Sequence, residues 1–189
     1  MIEPLQYCQE RGLRILSVDG FKFFYNTLAN YPGNYLEIGV FEGFILRELA
    51  RKYPDKTIYG IDPFIEDGNT TGHGGYQKGE RTLNQRDKTY ENIKGIPNIT
   101  FFEETSREFA KRSDDELEKM NVSCVLLDGD HSFEDTMNDL ELCNRLIAGR
   151  GVIYVDDLGM PSVNLAVEEF LVRNRHRIAY QDDKIFFIK

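Results

Sequence analysis

The chain has 189 residues, of which 41% are hydrophobic, so it can bury one sizeable core, and its length favours a single domain. Its 32 acidic residues outnumber 23 basic ones, and the net charge of -9 argues against nucleic acid as a partner. No run approaches the roughly 20 apolar residues that span a bilayer. The charged start MIEPLQYCQERG lacks an apolar signal core, and the three cysteines are few and scattered. These features predict a cytoplasmic protein that does not associate with membranes.

Strand and helix signals alternate along the chain after an N-terminal region in which a helix is expected around residues 20–30. Such alternation predicts an α/β fold with a parallel sheet. The predicted strands are short and largely apolar, as expected of strands that helices cover on both faces. They comprise residues 35–40, 57–62, 99–103, 122–128 and 151–156.

The second half of the chain has the clearest element boundaries. Ser132 can cap the helix after the fourth strand, with Asp135 three residues on, and Gly149 or Gly151 can end it. A last helix is predicted over residues 162–174, near Pro161. Residues 177–180 and 184–188 then predict an antiparallel hairpin.

One long loop, residues 63–80, separates the second strand from the next helix. Loops of this length are often functional, and a lid over a substrate is one interpretation of its His73 and Tyr76. Simple solvent exposure is the favoured interpretation of both side chains. His176, between two arginines, is expected to be a surface residue.

Acidic residues end the fourth and fifth strands, at Asp128 and Asp130 and at Asp156 and Asp157. The carboxyl ends of neighbouring parallel strands meet at one sheet edge, where open α/β sheets bind ligands. Together with His131, these side chains could hold a hard cation and place a titratable base beside it. Simpler interpretations are a strand-ending turn for the acid pair and helix entry for Asp130 and His131.

The first strand and its turn read YLEIGVFEG, with Glu37, Gly39 and Gly43 at a regular spacing, and the second strand ends at Asp62. Glycines let a ligand approach the backbone, and an acid one strand later can accept hydrogen bonds from ribose hydroxyls. Close packing of strand on helix is the simpler interpretation of the glycines. The spacing differs from the G-x-G-x-x-G fingerprint of dinucleotide-binding domains, which argues against a nucleotide-dependent oxidoreductase.

Together with VLLDGDHSFED and GVIYVDD, these motifs resemble the class I S-adenosylmethionine-dependent methyltransferases, and within them the macrocin O-methyltransferase and cephalosporin-hydroxylase-like group. The resemblance implies a doubly wound, seven-stranded, mostly parallel sheet of the Rossmann-like methyltransferase type, with an antiparallel last strand. It also implies that residues 34–189 form the S-adenosylmethionine-binding domain. Residues 1–33 would form a helical segment on the substrate side.

The resemblance assigns cofactor contacts to matched positions. The methionine part would lie at Glu37, Gly39 and Gly43, and the ribose at Asp62. The adenine would lie at the segment after the third strand, which comprises Glu104, Thr105 and Ser106. Asp128, at the end of the fourth strand, would be a further cofactor contact. Many relatives have a second glycine and a hydroxyl residue after Gly43, where this chain has Phe44 and Ile45. The methionine carboxylate would therefore be held differently here.

The resemblance further implies a magnesium ion, or another divalent cation, bound by Asp128, Asp156 and Asp157, with His131 as the catalytic base. The expected function is a magnesium-assisted O-methyltransferase that acts on a hydroxyl of a small metabolite or sugar. A nucleotide-dependent oxidoreductase and a non-catalytic binding domain with the same fold are the alternatives. The sequence leaves open whether the chain forms a homo-oligomer.

Overall fold

A computed structural model of the chain describes residues 28–64, 80–174, 178–181 and 186–188. The strands are β1 Asn34–Ile38, β2 Ile58–Ile61, β3 Ile99–Phe102, β4 Val122–Leu127, β5 Val152–Val155, β6 Ile178–Gln181 and β7 Phe186–Ile188. The helices are α1 Phe44–Lys52, α2 Glu80–Ile93, α3 Ser106–Phe109, α4 Asp114–Lys119, α5 Phe133–Ile147 and α6 Pro161–Asn174. A short 3-10 helix spans Leu28–Asn30.

The strands form one seven-stranded sheet in the order β3-β2-β1-β4-β5-β7-β6. Strands β1 to β5 pair in parallel, and β7 pairs antiparallel with both β5 and β6. The predicted fold class, including the antiparallel last strand and the terminal hairpin, is confirmed. Connections run in opposite directions on either side of the β1 and β4 pair, so ligands are expected at the carboxyl ends of these two strands.

Helices cover both faces of the sheet, which explains why every residue of β4 and β5 is buried. On one face, Leu36 and Ile38 of β1 pack in a core with α5 and α6. On the other, Tyr35 of β1 packs in a core with α1. Because side chains alternate along a strand, Glu37 lies on the same face as Tyr35.

Local signals set the helix boundaries. The Ser132 hydroxyl accepts a hydrogen bond from the Asp135 N–H at 3.2 Å, which confirms the predicted cap of α5. The helix ends at Ile147, where Ala148 and Gly149 both take positive φ. Helix α6 begins at Pro161, one residue before its predicted start.

Some predictions concern residues that the structure does not describe. These are His73 and Tyr76 of the long loop, His176, and most of the predicted helix at residues 20–30. Of the helices in the described ranges, none has the length and apolar character needed to cross a membrane.

Candidate functional site at the carboxyl edge of the sheet

The turn after β1 owes its two glycines to tight packing. A Cβ atom on Gly39, whose φ is +84°, would lie 1.9 Å from the main-chain oxygen of Asp128. Gly43 has a φ of +71°, and a Cβ atom there would lie 3.0 Å from Cγ2 of Thr89. Both positions therefore require glycine for conformational and steric reasons. Their contact with a cofactor stays a prediction.

Asp62 holds this turn in place from the end of β2. Its Oδ2 accepts hydrogen bonds from the backbone N–H groups of Val40, at 2.9 Å, and Phe41, at 3.1 Å. Its Oδ1 accepts from the N–H of Phe64 at 2.9 Å. Burial raises the pKa of Asp62, and these three N–H groups oppose that rise. The sequence did not predict that Asp62 organises the turn, and this role is independent of any contact with a ribose.

Glu37 is a buried acid at the topological switch of the sheet. Only 3% of it is exposed, and its Oε2 has no hydrogen-bond partner within the described ranges. Burial, followed by the charges of Asp128 and Asp62, raises the pKa of Glu37 well above its usual value, and the neighbouring Tyr35 side chain opposes that rise. A buried acceptor without a partner is costly, and a cationic ligand group could satisfy it.

His131 lies between two carboxylates. Its Nε2 is 3.0 Å from Oδ2 of Asp157 and 3.7 Å from Oδ1 of Asp128. Neither contact meets the geometric criteria of a hydrogen bond, so both are ion-pair contacts. The carboxylate of Asp128, and then that of Asp157, raises the pKa of His131 to about 10. At neutral pH the imidazolium thus supplies the positive charge that these acids need.

Ligand atoms of Asp128, His131 and Asp157 all lie within 4.8 Å of one another, which is close enough for one metal ion. Asp156 is outside this group. It is buried, and its Oδ1 accepts a hydrogen bond from the Asp157 N–H at 2.7 Å. Asp157 has a φ of +59°, and its side chain is 48% exposed. The metal role of Asp156 stays a prediction that this geometry does not favour.

Contacts from neighbouring segments fix the entry to α5. Asp130 Oδ1 accepts a hydrogen bond from the Ser132 N–H at 2.7 Å, which agrees with its interpretation as a helix-entry residue. The Ser162 hydroxyl of α6 donates to the His131 carbonyl at 2.6 Å. The backbone of His131 is therefore held from two sides.

The segment after β3 makes local contacts instead of leaving its side chains free. Thr105 caps α3 in a reciprocal arrangement with Glu108, and Glu104 pairs with Arg112 at 2.6 Å. The Ser106 side chain lies near the carboxylate of Asp139 on α5 and opposes the rise that burial causes in the pKa of that acid. The predicted adenine contacts of Glu104, Thr105 and Ser106 stay predictions.

A protein family described as a methyltransferase domain matches residues 36–158 of the chain. The matched range includes the acidic ends of β2, β4 and β5 and both glycines of the β1 turn. The chain belongs to this family. The predicted identity as a class I methyltransferase domain is thereby confirmed, and with it the assignment to a family of enzymes.

Among curated proteins, this methyltransferase domain is similar to the uncharacterized protein R132 of Acanthamoeba polyphaga mimivirus, with 26% identity over 152 residues. The match covers 76% of this chain and 63% of that relative. The chain thus spans less than two thirds of the relative's length.

Solved structures of methyltransferases share the fold. The calicheamicin methyltransferase CalS11 superimposes with a TM-score of 0.66 at 17% identity, covering 100% of this chain and 86% of CalS11. The apo structure of CalS11, described as a TDP-rhamnose 3'-O-methyltransferase, gives a TM-score of 0.63 at 18% identity, covering 100% of this chain and 87% of that chain. The Podospora anserina methyltransferase PaMTH1, bound to SAH, gives a TM-score of 0.57 at 12% identity, covering 100% of this chain and 86% of that chain.

Sequence reasoning missed Asp139, a buried acid of this methyltransferase domain. Asp139 is 2% exposed on the inner face of α5, between the buried residues Thr136 and Cys143. An acid on the apolar stripe of a predicted helix was the signal that could have identified it.

Proposed function

We propose that this chain is an S-adenosylmethionine-dependent O-methyltransferase that acts on a hydroxyl of a small metabolite or sugar with the help of a divalent cation, preferably magnesium. The observation that carries the proposal is the group of carboxylates from Glu37, Asp62 and Asp128 at the switch point of a methyltransferase-family sheet. The cofactor, when bound, supplies an electrophilic methyl group on a positively charged sulfur.

The residues of the β1 turn suit the methionine part of this cofactor. Glu37 offers to its ammonium group a buried oxygen that has no partner among the described residues, and Gly39 and Gly43 leave the backbone of the turn accessible. Asp62 would accept hydrogen bonds from the ribose with the lone pairs that its three backbone donors leave. Thr105 and Ser106 would flank the adenine.

The acidic ends of β4 and β5 suit a hard cation because carboxylate oxygens are the ligands that magnesium prefers. Asp128 and Asp157 would be the ligands, with Asp156 adjacent to them. A cation there would polarise the acceptor hydroxyl and lower its pKa. It would compete with the protonated imidazole for the same two carboxylates.

His131 would remove the acceptor proton through Nε2, which requires the neutral imidazole. Beside two charged carboxylates its pKa is about 10, so it is protonated at neutral pH. Neutralising Asp128 and Asp157 removes the cause of that rise. The base and the cation site therefore depend on each other in this proposal.

The acceptor is proposed by similarity. CalS11, which shares the fold, is described as acting on TDP-rhamnose, and this supports a hydroxyl of a sugar or similar metabolite. The net charge of -9 disfavours nucleic acid as an acceptor. The buried free thiols of Cys124 and Cys143 support the proposed cytoplasmic location.

Isothermal titration calorimetry with S-adenosylmethionine, S-adenosylhomocysteine and NADH tests the cofactor assignment without knowledge of the acceptor. We expect heat of binding with the first two ligands and none with NADH. Absence of heat and of any thermal shift with millimolar S-adenosylmethionine would falsify the proposal. Binding of NADH alone would support the oxidoreductase alternative.

A further inference from the structure

Helix α2 is fastened to the turn after β1 by side chains that the proposed chemistry does not use. The Thr89 hydroxyl donates to the carbonyl of Phe41 at 2.6 Å. One turn further along the helix, the side-chain amide of Asn92 donates to the next carbonyl, that of Glu42, at 2.8 Å. Lys88 pairs with the Glu42 carboxylate at 2.7 Å. Since Thr89 and Asn92 are three residues apart, they lie on one face of α2 and hold consecutive peptide groups of the turn.

The backbone of this turn enters the left-handed region at every second residue. Gly39, Phe41 and Gly43 have φ angles of 84°, 53° and 71°. Glycine adopts this conformation freely, whereas it is strained at a phenylalanine, so contacts from outside the turn must maintain it. Asp62 accepts the N–H of Phe41 at 3.1 Å, and Thr89 donates to the carbonyl of the same residue. Phe41 is therefore held at both of its peptide groups.

Both branches of the Thr89 side chain contact the turn, and the residue is fully buried. Its hydroxyl holds Phe41, and its Cγ2 lies 3.0 Å from the position that a Cβ atom on Gly43 would take. The carbonyl of Gln85, one turn earlier in α2, also lies 2.9 Å from the hydroxyl, but the Phe41 carbonyl is closer. A hydroxyl has one proton to donate, and the shorter contact is the one that joins segments 48 residues apart.

We propose that Thr89 and Asn92 are positioning residues for the amino-acid part of the cofactor, because they hold the β1 turn in the shape that receives this part. The inference rests on the proposed function, which places the amino-acid part at Glu37, Gly39 and Gly43. Neither side chain needs to touch the ligand. Without the two hydrogen bonds the turn would sample other conformations, and the apparent affinity would fall in proportion to the population of the competent one.

The two halves of the ligand should respond differently to loss of these bonds. The nucleoside half is assigned to Asp62 and to the segment after β3, and Asp62 also accepts the N–H of Phe64, outside the turn, at 2.9 Å. S-adenosylhomocysteine carries both halves, whereas 5'-methylthioadenosine lacks the amino-acid half. The ratio of the affinities for these two ligands therefore reports the shape of the turn, while a general loss of stability would lower both affinities.

Isothermal titration calorimetry of the full chain with both ligands measures this ratio. Thr89→Val keeps the shape of the side chain and removes its donor, so it should weaken S-adenosylhomocysteine binding by about tenfold, the equivalent of one hydrogen bond. The affinity for 5'-methylthioadenosine should stay unchanged. Thr89→Ser keeps the hydroxyl and should retain most of the wild-type affinity for both ligands. Thr100→Val, the same change at an exposed threonine of β3, is the matched control and should leave both affinities unchanged.

Asn92→Ala tests the same role at a less buried position, and it should lower the ratio by about threefold or more even if Thr89→Val does not fold. An unchanged ratio in these variants contradicts the positioning role, and so do equal losses for the two ligands. A Thr89→Ser variant that loses as much as Thr89→Val also contradicts it. If the wild type binds neither ligand, the proposed function itself fails. A wild type that prefers S-adenosylhomocysteine, with variants that keep this preference, overturns the present inference alone.

Discussion

Nε2 of His131 lies 3.0 Å from Oδ2 of Asp157, a residue whose backbone has a positive φ of 59°. Left-handed backbone at a residue other than glycine is uncommon and concentrates at functional sites. Here it brings the second of two adjacent acids, and not the first, to the imidazole. The ion pair thus combines a strained backbone with a histidine whose pKa is about 10.

The first prediction is that His131 remains protonated through pH 8 in the metal-free protein. A histidine with a raised pKa adds stability that is complete below about pH 6.5 and is lost as the pH rises through about 10. His131→Gln should lower the free energy of unfolding at pH 6.5 by roughly 1 kcal/mol, because the ion pair with Asp157 is partly exposed, and should remove this loss. NMR titration of the imidazole checks the pKa, and a midpoint near 6.5 would contradict the prediction.

The second prediction is that magnesium or manganese stabilises the protein, as expected of a ligand that binds only the folded state. Asp157→Asn should reduce the shift in Tm more than Asp130→Asn, because Asp130 binds the backbone at helix entry. The shift should also grow between pH 7 and pH 10, since the cation competes with the proton on His131. Equal responses of the two variants would refute this site.

The third prediction concerns Asp62, whose carboxylate accepts three backbone N–H groups. Asp62→Ala should weaken S-adenosylhomocysteine binding by roughly 1.5 to 3 kcal/mol, and should also lower the free energy of unfolding because the turn after β1 loses its acceptors. Calorimetry and urea unfolding measure the two effects. Glu103→Gln, an exposed acid paired with Arg86 after the neighbouring strand, is the control and should leave the affinity unchanged.

The fourth prediction is that Asp139→Asn stabilises the protein relative to the wild type as the pH rises. The pKa of Asp139 is about 7 in the folded protein and lower in the unfolded chain, so the stability of the wild type falls between about pH 4 and pH 7. At about 1.4 kcal/mol per pKa unit, the gain at pH 8 has an upper bound of about 4 kcal/mol. Urea unfolding at pH 4, 6 and 8 measures the difference in unfolding free energy between Asp139→Asn and the wild type. A difference that decreases as the pH rises would contradict the prediction.

The fifth prediction is that His131→Ala retains binding of S-adenosylhomocysteine but loses methyl transfer by roughly a hundredfold or more, as expected on losing a general base. Activity should recover as the pH rises, since solvent hydroxide can then take the proton. The test is a pH-rate profile with a hydroxylated acceptor, and a variant with wild-type rates at neutral pH would reduce His131 to a structural residue.

The fold could be predicted almost completely because its signals are local. Apolar runs identified the five parallel strands, Ser132 identified the start of α5, and Pro161 the start of α6. Strand ends differ from prediction by only one or two residues, where pairing stops before the apolar run does. These boundaries depend on neighbours in sequence, which the chain itself displays.

The sequence predicted which residues form the site but not which of them contact one another. Sequence reasoning treated Asp156 and Asp157 alike, yet successive side chains at a strand end point in different directions, and only Asp157 reaches His131. It expected a divalent cation to offset the charge of these acids, and in the structure His131 also brings a positive charge beside Asp128 and Asp157. The bonds of Asp62 to the β1 turn join segments far apart in sequence, and no local pattern reports them.

Asp62 has two roles, and this limits which substitutions can change the ligand preference of the site. The acid proposed to meet the ribose also ties together the backbone of the turn that would receive the methionine part. A substitution that altered sugar preference through Asp62 would at the same time loosen the opposite half of the pocket. Changes in ligand preference are therefore more accessible at neighbours such as Phe64, whose ring packs against Phe101 and whose apolar side chain cannot accept hydrogen bonds from the turn.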